Sequence, residues 1–75
     1  MADLLLDTCG LNCPLPILKT KQSMRAIPLG GSIEVLATDP ASDRDFRAFC
    51  RNTGHPLLEA SVAEGVYRFV IQRAK

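Results

Sequence analysis

The glycines and prolines of this chain fall at five places, and six segments rich in apolar residues lie between them. The five places are Gly10–Pro16, Pro28–Gly31, Pro40, Gly54–Pro56 and Gly65. Since these two residue types are the strongest local signals for turns and for the ends of helices and strands, the segments are six candidate elements. A chain of 75 residues is long enough for one domain with a thin core, and we expect residues 1–75 to form a single domain.

Four of the segments have the length and composition of β-strands. They are Asp3–Thr8, Ser32–Thr38, Leu57–Val62 and Val66–Arg73. Each is short and rich in apolar or β-branched residues, which favours a strand. The residues "AEG" join the last two, which predicts a hairpin with Gly65 at a positive φ.

The other two segments show the periodicity of α-helices. The predicted inward faces hold Ile17, Thr20, Met24 and Ile27 in the first helix, and Phe46, Phe49, Cys50 and Thr53 in the second. Pro28 is expected to end the first helix. The second is expected to begin with Thr38 or Asp39 as its cap and Pro40 at its first position, and to end at Gly54.

The element order is therefore β-α-β-α-β-β. The helix between the first two strands favours a parallel pair, and the hairpin makes the last two antiparallel. With both helices on one face of a mixed four-stranded sheet, the fold is α+β, a two-layer α/β sandwich. Loops that follow parallel strands leave the same edge of a sheet, so we expect the Cys9–Cys13 and Thr38–Pro40 loops to be neighbours.

The strongest chemical signal is the sequence Cys13-Pro14-Leu15-Pro16. With Cys13 as the N-terminal cap of the first helix, both prolines fall in its first turn, where a missing N–H costs little. The N–H of Leu15 is expected to point back at the sulfur of Cys13. A helix N-terminus lowers the pKa of a thiol from its ordinary value of about 8.5. The motif thus predicts a rigidly held, exposed thiolate nucleophile at Cys13.

The other two cysteines are assigned different roles. Cys9 is an accessory thiol, or packs at the end of the first strand, because its spacing from Cys13 is not that of a dithiol redox site. Cys50 lies on the apolar face of the second helix and is expected to be inert core. Three cysteines and His55 do not make a convincing four-ligand zinc site, so we expect neither a metal nor an organic cofactor.

Basic residues suggest where a partner docks. Arg44, Arg47 and Arg51 fall on the face of the second helix opposite its phenylalanines. They form either a solvated face or a docking surface for an acidic partner. Lys19 and Leu15 are expected on the outer face of the first helix, where an exposed apolar residue beside the sulfur suits transient protein contact.

The N-terminal segment predicts no secretory signal. Its apolar run is three leucines between Asp3 and Asp7, and no run approaches the roughly 18 apolar residues of a membrane span. We therefore expect the chain in the cytoplasm, where thiols are kept reduced.

Three stretches, "DTCGLNCPLPILKTK", "ATDPASDRDFRAFC" and "YRFVIQR", resemble the TusA/SirA-like sulfur-carrier family over essentially the whole chain. The resemblance implies the same β-α-β-α-β-β sandwich, with Cys13 as the active cysteine. In the family this cysteine accepts sulfane sulfur as a persulfide and passes it to a cysteine on another protein. Implied donors are cysteine desulfurases or rhodanese-type proteins. Implied acceptors belong to the DsrE-like relay for thiolation of tRNA wobble uridine, or to sulfur oxidation.

The chain departs from the family pattern at its site. Leu15 stands where many relatives have an acidic residue, and Asn12 where many have a basic one. The less charged site points to different partners. Cys9 is not general in the family, and with the variant motif it resembles members from sulfur-oxidising or related proteobacteria.

Two other functions fit some of the residues. A regulatory or nucleic-acid-binding module would use Arg44, Arg47 and Arg51, although a formal net charge of +1 argues against direct nucleic-acid binding. A thiol redox sensor would form a reversible disulfide between Cys9 and Cys13. We favour the sulfur carrier, acting as a monomer in transient complexes.

Overall fold

The computed structural model describes residues 2–75 and contains the six elements in the predicted order. They are β1 (Leu4–Asp7), α1 (Leu15–Met24), β2 (Ser32–Ala37), α2 (Ser42–Thr53), β3 (Leu57–Ala63) and β4 (Val66–Gln72). The element ends differ from the prediction by a few residues. The largest difference is that α1 ends at Met24, so Ile27 packs in the core from the connection that follows the helix.

The sheet has the strand order β1-β2-β4-β3. β1 and β2 are parallel, whereas β4 is antiparallel to both of its neighbours, β2 and β3. This confirms the predicted mixed sheet. Because β1 and β2 lie side by side in the same direction, the loops that follow them emerge together at one edge of the sheet.

One face of the sheet carries the core. Val35 of β2 and Phe69 and Ile71 of β4 are fully buried beneath the helices. The ring of Phe46 from α2 stacks on that of Phe69, with 4.6 Å between centroids and 23° between planes. Met24 from α1 belongs to the same cluster. Both helices therefore lie on one face, as predicted.

Within residues 2–75, no helix covers the opposite face of the sheet. Arg68 of β4 lies there between two carboxylates, with its Nε 2.8 Å from Glu34 and its Nη1 2.9 Å from Glu59. Leu5 of β1 is exposed nearby. The molecule thus has two layers, one of helices and one of strands.

Two glycines take the conformations that the sequence predicted. Gly54 ends α2 in the left-handed region at φ 83°, and its N–H donates to the carbonyl of Cys50 at 2.9 Å. Gly65, at φ 79°, forms the tight turn between β3 and β4 with Glu64, at φ 52°. Two successive positive φ values match the twist of a two-residue hairpin. Within residues 2–75, no helix is long and apolar enough to cross a membrane.

Candidate functional site

The two loops that follow β1 and β2 are joined by hydrogen bonds. The N–H of Gly10 donates to Oγ1 of Thr38 at 2.8 Å, and the N–H of Cys13 donates to Oδ2 of Asp39 at 2.6 Å. These contacts confirm that the loops are neighbours. They fix the main chain at Cys13 to the end of β2.

Asp39 closes its own loop as well as holding the cysteine loop. Its Oδ1 accepts the N–H of Ala41 at 3.0 Å, while Oδ2 accepts the N–H of Cys13. These two hydrogen bonds stabilise the carboxylate and lower the pKa of Asp39 below its ordinary value. Because the side chain is engaged before the helix starts, Asp39 does not cap α2, contrary to the prediction.

The start of α2 lies later than predicted. Ala41 occupies the N-terminal cap position without a side-chain hydrogen bond, and the helix begins at Ser42. Pro40 therefore precedes the helix. Asp39 shapes this loop, and the prediction that Thr38 or Asp39 caps α2 is wrong.

The start of α1 also differs from the prediction. Pro14, not Cys13, occupies the cap position, and Pro16 is the second helical residue. The N–H of Leu15 donates to the carbonyl of Asn12 at 2.9 Å, so it does not point at the sulfur of Cys13. A separate turn over residues 12–15 precedes the helix and uses this donor. The prolines still lie where an N–H would lack an intrahelical partner.

The electrostatic environment of the Cys13 thiol is set by α2. The carboxylate of Asp45, in the first turn of that helix, acts on the thiol as a hydrogen-bond acceptor and is the main cause that raises the pKa of Cys13. Partial desolvation and the negative charges of Asp45 and Asp39 act in the same direction, while Arg44 has a weaker opposite effect. The predicted lowering of the pKa is therefore wrong. Neighbouring carboxylates favour the neutral thiol, and the expected N–H donor is absent.

Cys13 opens into a groove between the two helices. The groove has a volume of about 370 Å³. Its lining comprises Cys13, Pro14, Ile17, Lys21, Asp45, Ala48, Phe49, Asn52 and Thr53. Most of this surface is apolar, with Asp45 and Lys21 as its two charged residues. An exposed thiol beside such a groove is accessible to a partner's side chain or extended segment.

Of the lining residues, only Cys13 and Pro14 were among the predicted site residues. Asp45, Lys21 and Asn52 are among those that were missed. No local sequence signal marked Asp45, because it enters the groove only through the packing of α1 against α2. The similar residue Asp43, two positions earlier, lies outside the groove and pairs with Arg47 at 3.1 Å.

The predicted docking residues lie on the surface but outside the groove. Lys19 and Leu15 are exposed on α1, and Arg51 is exposed on α2. Arg47 pairs with Asp43, and the Nε of Arg44 lies 3.4 Å from Oδ1 of Asp45. The basic face of α2 is therefore partly neutralised by carboxylates of the same helix.

The three cysteines are free and lie in different environments. Cys9 is exposed, and a hydrogen bond to Asp7 raises its pKa. Cys50 lies in the core, as predicted, and burial there raises its pKa to about 11. Among residues 2–75, no cluster of three His, Cys, Asp or Glu side chains is placed to hold a metal ion.

Comparison with known proteins shows the family of the chain. The sequence profile of the family described as "Sulfurtransferase TusA" matches residues 5–73. A Neisseria meningitidis protein named as a candidate sulfur carrier is 51% identical over 67 residues, covering 89% of this chain and 90% of the relative. The sulfur carrier protein TusA of Allochromatium vinosum is 45% identical over 69 residues, covering 92% and 91%.

A solved structure shows the same fold. The crystal structure of a SirA-like protein from Desulfitobacterium hafniense matches with a TM-score of 0.82 and covers 96% of this chain and 99% of its own. At 22% identity, this likeness concerns the fold alone. The family profile and the similar sequences cover nearly the full length of this chain. The chain therefore belongs to the TusA family of sulfurtransferases.

Proposed function

We propose that this protein is a sulfur carrier, and that Cys13 carries the sulfur as a persulfide. The observation that supports this most directly is the exposed thiol of Cys13 beside the groove between the helices, with its main chain held by Asp39. Sulfur transfer between proteins needs such a nucleophile, open to large partners and fixed in position. Sulfur is proposed as the transferred group because similar proteins are named as sulfur carriers.

The proposed reaction has two steps. In loading, the Cys13 sulfur attacks the outer sulfur of a donor persulfide, the donor's sulfur–sulfur bond breaks, and the donor cysteine leaves as a thiolate. In unloading, an acceptor thiolate attacks the outer sulfur on Cys13, whose own sulfur is then the leaving group. The sulfane sulfur moves between cysteines without net oxidation or reduction.

The partners are a sulfur donor and a cysteine-bearing acceptor. We propose a cysteine desulfurase or rhodanese-type protein as donor and a DsrE-like protein as acceptor, in tRNA wobble-uridine thiolation or sulfur oxidation. The proposed location is the cytoplasm, and the protein acts as a monomer in transient complexes. Leu15 and Lys19 flank the site and belong to the proposed contact surface.

Intact-mass measurement without reductant tests the proposal. After incubation with a persulfide-loaded desulfurase or rhodanese, the wild-type protein is expected to gain the mass of one sulfur atom. Cys13→Ser is expected to abolish the gain, whereas Cys9→Ser and Cys50→Ser keep it. A wild-type protein that takes no sulfur from either donor class would contradict the carrier function. A loss of two hydrogens that requires both Cys9 and Cys13 would instead support a redox sensor.

A further inference from the structure

The carboxylate of Asp45 lies where a proton acceptor for Cys13 is needed. Both side chains line the groove between the helices. Of the groups around Cys13, this carboxylate acts most strongly on its thiol, as an acceptor that favours the protonated form. The side chain of Asp45 is only 20% exposed. A carboxylate that shares a groove with a nucleophilic thiol and is partly shielded from water is placed to act as a general base.

Both partners of this contact are held in place. On one side, the N–H of Cys13 donates to Asp39. On the other, the N–H of Asp45 donates to the carbonyl of Ala41 at 3.0 Å, and the next residue, Phe46, is fully buried. The main-chain positions of the two residues are therefore fixed by the sheet edge and by the anchored first turn of α2.

The other charged groups around Cys13 do not offer an equivalent acceptor. The carboxylate of Asp39 is occupied by two main-chain N–H groups. Arg44 of α2 and Lys21 of α1 are cations and accept no proton at neutral pH. Asp45 is the group in this cluster that combines a place in the groove beside Cys13 with the capacity to accept a proton.

We propose that Asp45 accepts the proton of the Cys13 thiol as the Cys13 sulfur attacks the donor persulfide. This inference rests on the proposed function. A bond forms between the Cys13 sulfur and the outer sulfur, and the electron pair of the broken donor bond stays on the donor cysteine. Asp45 takes the thiol proton and then returns it to the departing thiolate or to water. Unloading follows the same path in reverse, with the acceptor in the donor's place.

The variant Asp45→Asn separates this role from a purely electrostatic one, because two measurements then move in opposite directions. Removing the carboxylate removes its negative charge and the acceptor that favours the protonated thiol, so the pKa of Cys13 is expected to fall. Alkylation of Cys13 by iodoacetamide at pH 7 is then faster than in the wild type. Sulfur loading in a single turnover is expected to slow by about a hundredfold, the lower end of what a general base contributes. If Asp45 only raised the thiol pKa, loading would accelerate together with alkylation.

Matched variants control the comparison, and all are measured in a Cys9→Ser background so that alkylation reports Cys13. Asp43→Asn removes a carboxylate from the same helical turn but outside the groove, and is expected to leave both rates unchanged. Asp45→Glu keeps a carboxylate and is expected to restore most of the loading rate. Asp45→Ser gives the same comparison if the asparagine variant is unstable.

The outcomes distinguish the inference from the function on which it rests. If the wild type loads sulfur and Asp45→Asn loads as fast or faster, the inference is overturned and the carrier function stands. If the wild type takes no sulfur from either donor class, both are overturned. Slower loading together with faster alkylation in Asp45→Asn supports the inference.

Discussion

Replacing Phe46 with alanine tests how firmly α2, and with it the groove, is held to the sheet. The side chain of Phe46 is 0% exposed and stacks on Phe69. Truncation of a fully buried phenylalanine to alanine costs about 3–5 kcal/mol, from lost burial and from the cavity that remains. For a chain of 75 residues, the whole free energy of unfolding is about 4–11 kcal/mol, so this one change removes a large share of it.

Urea unfolding followed by far-ultraviolet circular dichroism measures the loss. At about 4–8 °C per kcal/mol, the melting temperature is also expected to fall by at least about 12 °C. Leu29→Ala is the matched control, because Leu29 is 68% exposed and its truncation is expected to change stability by less than about 0.5 kcal/mol. A loss below about 1 kcal/mol for Phe46→Ala would refute the conclusion that this ring anchors the helix.

Two further predictions concern the thiols and the loop contacts. In the folded protein, iodoacetamide is expected to modify Cys9 and Cys13 but not Cys50, because burial and a pKa of about 11 protect the Cys50 thiol. In denaturant, all three cysteines are expected to react. Mass spectrometry that finds Cys50 modified in the native state would contradict its placement in the core. The pKa of Asp39 is lowered in the folded state from 3.8, so its contribution to stability is present above that pH and is lost as the pH falls through the lower folded value. Asp39→Asn is expected to weaken this acid dependence and to speed amide hydrogen exchange at Cys13. Unchanged exchange at that amide would count against the hydrogen bond between the loops.

The fold was predictable because its signals are local. Gly54 and Gly65 stand where the chain takes left-handed conformations, and the inward faces of both helices follow from spacing alone. The precise helix starts were not predictable in the same way. They depend on which acceptor each main-chain N–H group binds. The N–H of Leu15 binds the carbonyl of Asn12, and the N–H of Ala41 binds the carboxylate of Asp39, whereas a simple capping pattern assigns different partners.

The exposure of the Cys13 thiol was predicted correctly, but its electrostatic environment was not. The residue that controls the pKa of Cys13 is Asp45, which lies 32 positions later and reaches the sulfur only because the two helices pack side by side. In the sequence, Asp45 looks the same as Asp43, which faces away from the groove. Such a long-range contact leaves no local pattern for a sequence reading to find.

The placement of Asp45 beside Cys13 has a consequence for the protein when no partner is bound. Peroxides and other electrophiles in a cell react with thiolates far faster than with thiols. Since its neighbours favour the protonated form, Cys13 is expected to react more slowly with these reagents than an exposed thiol without such neighbours. For the proposed carrier, this slower reaction would keep the sulfur of Cys13 chemically intact between one encounter and the next.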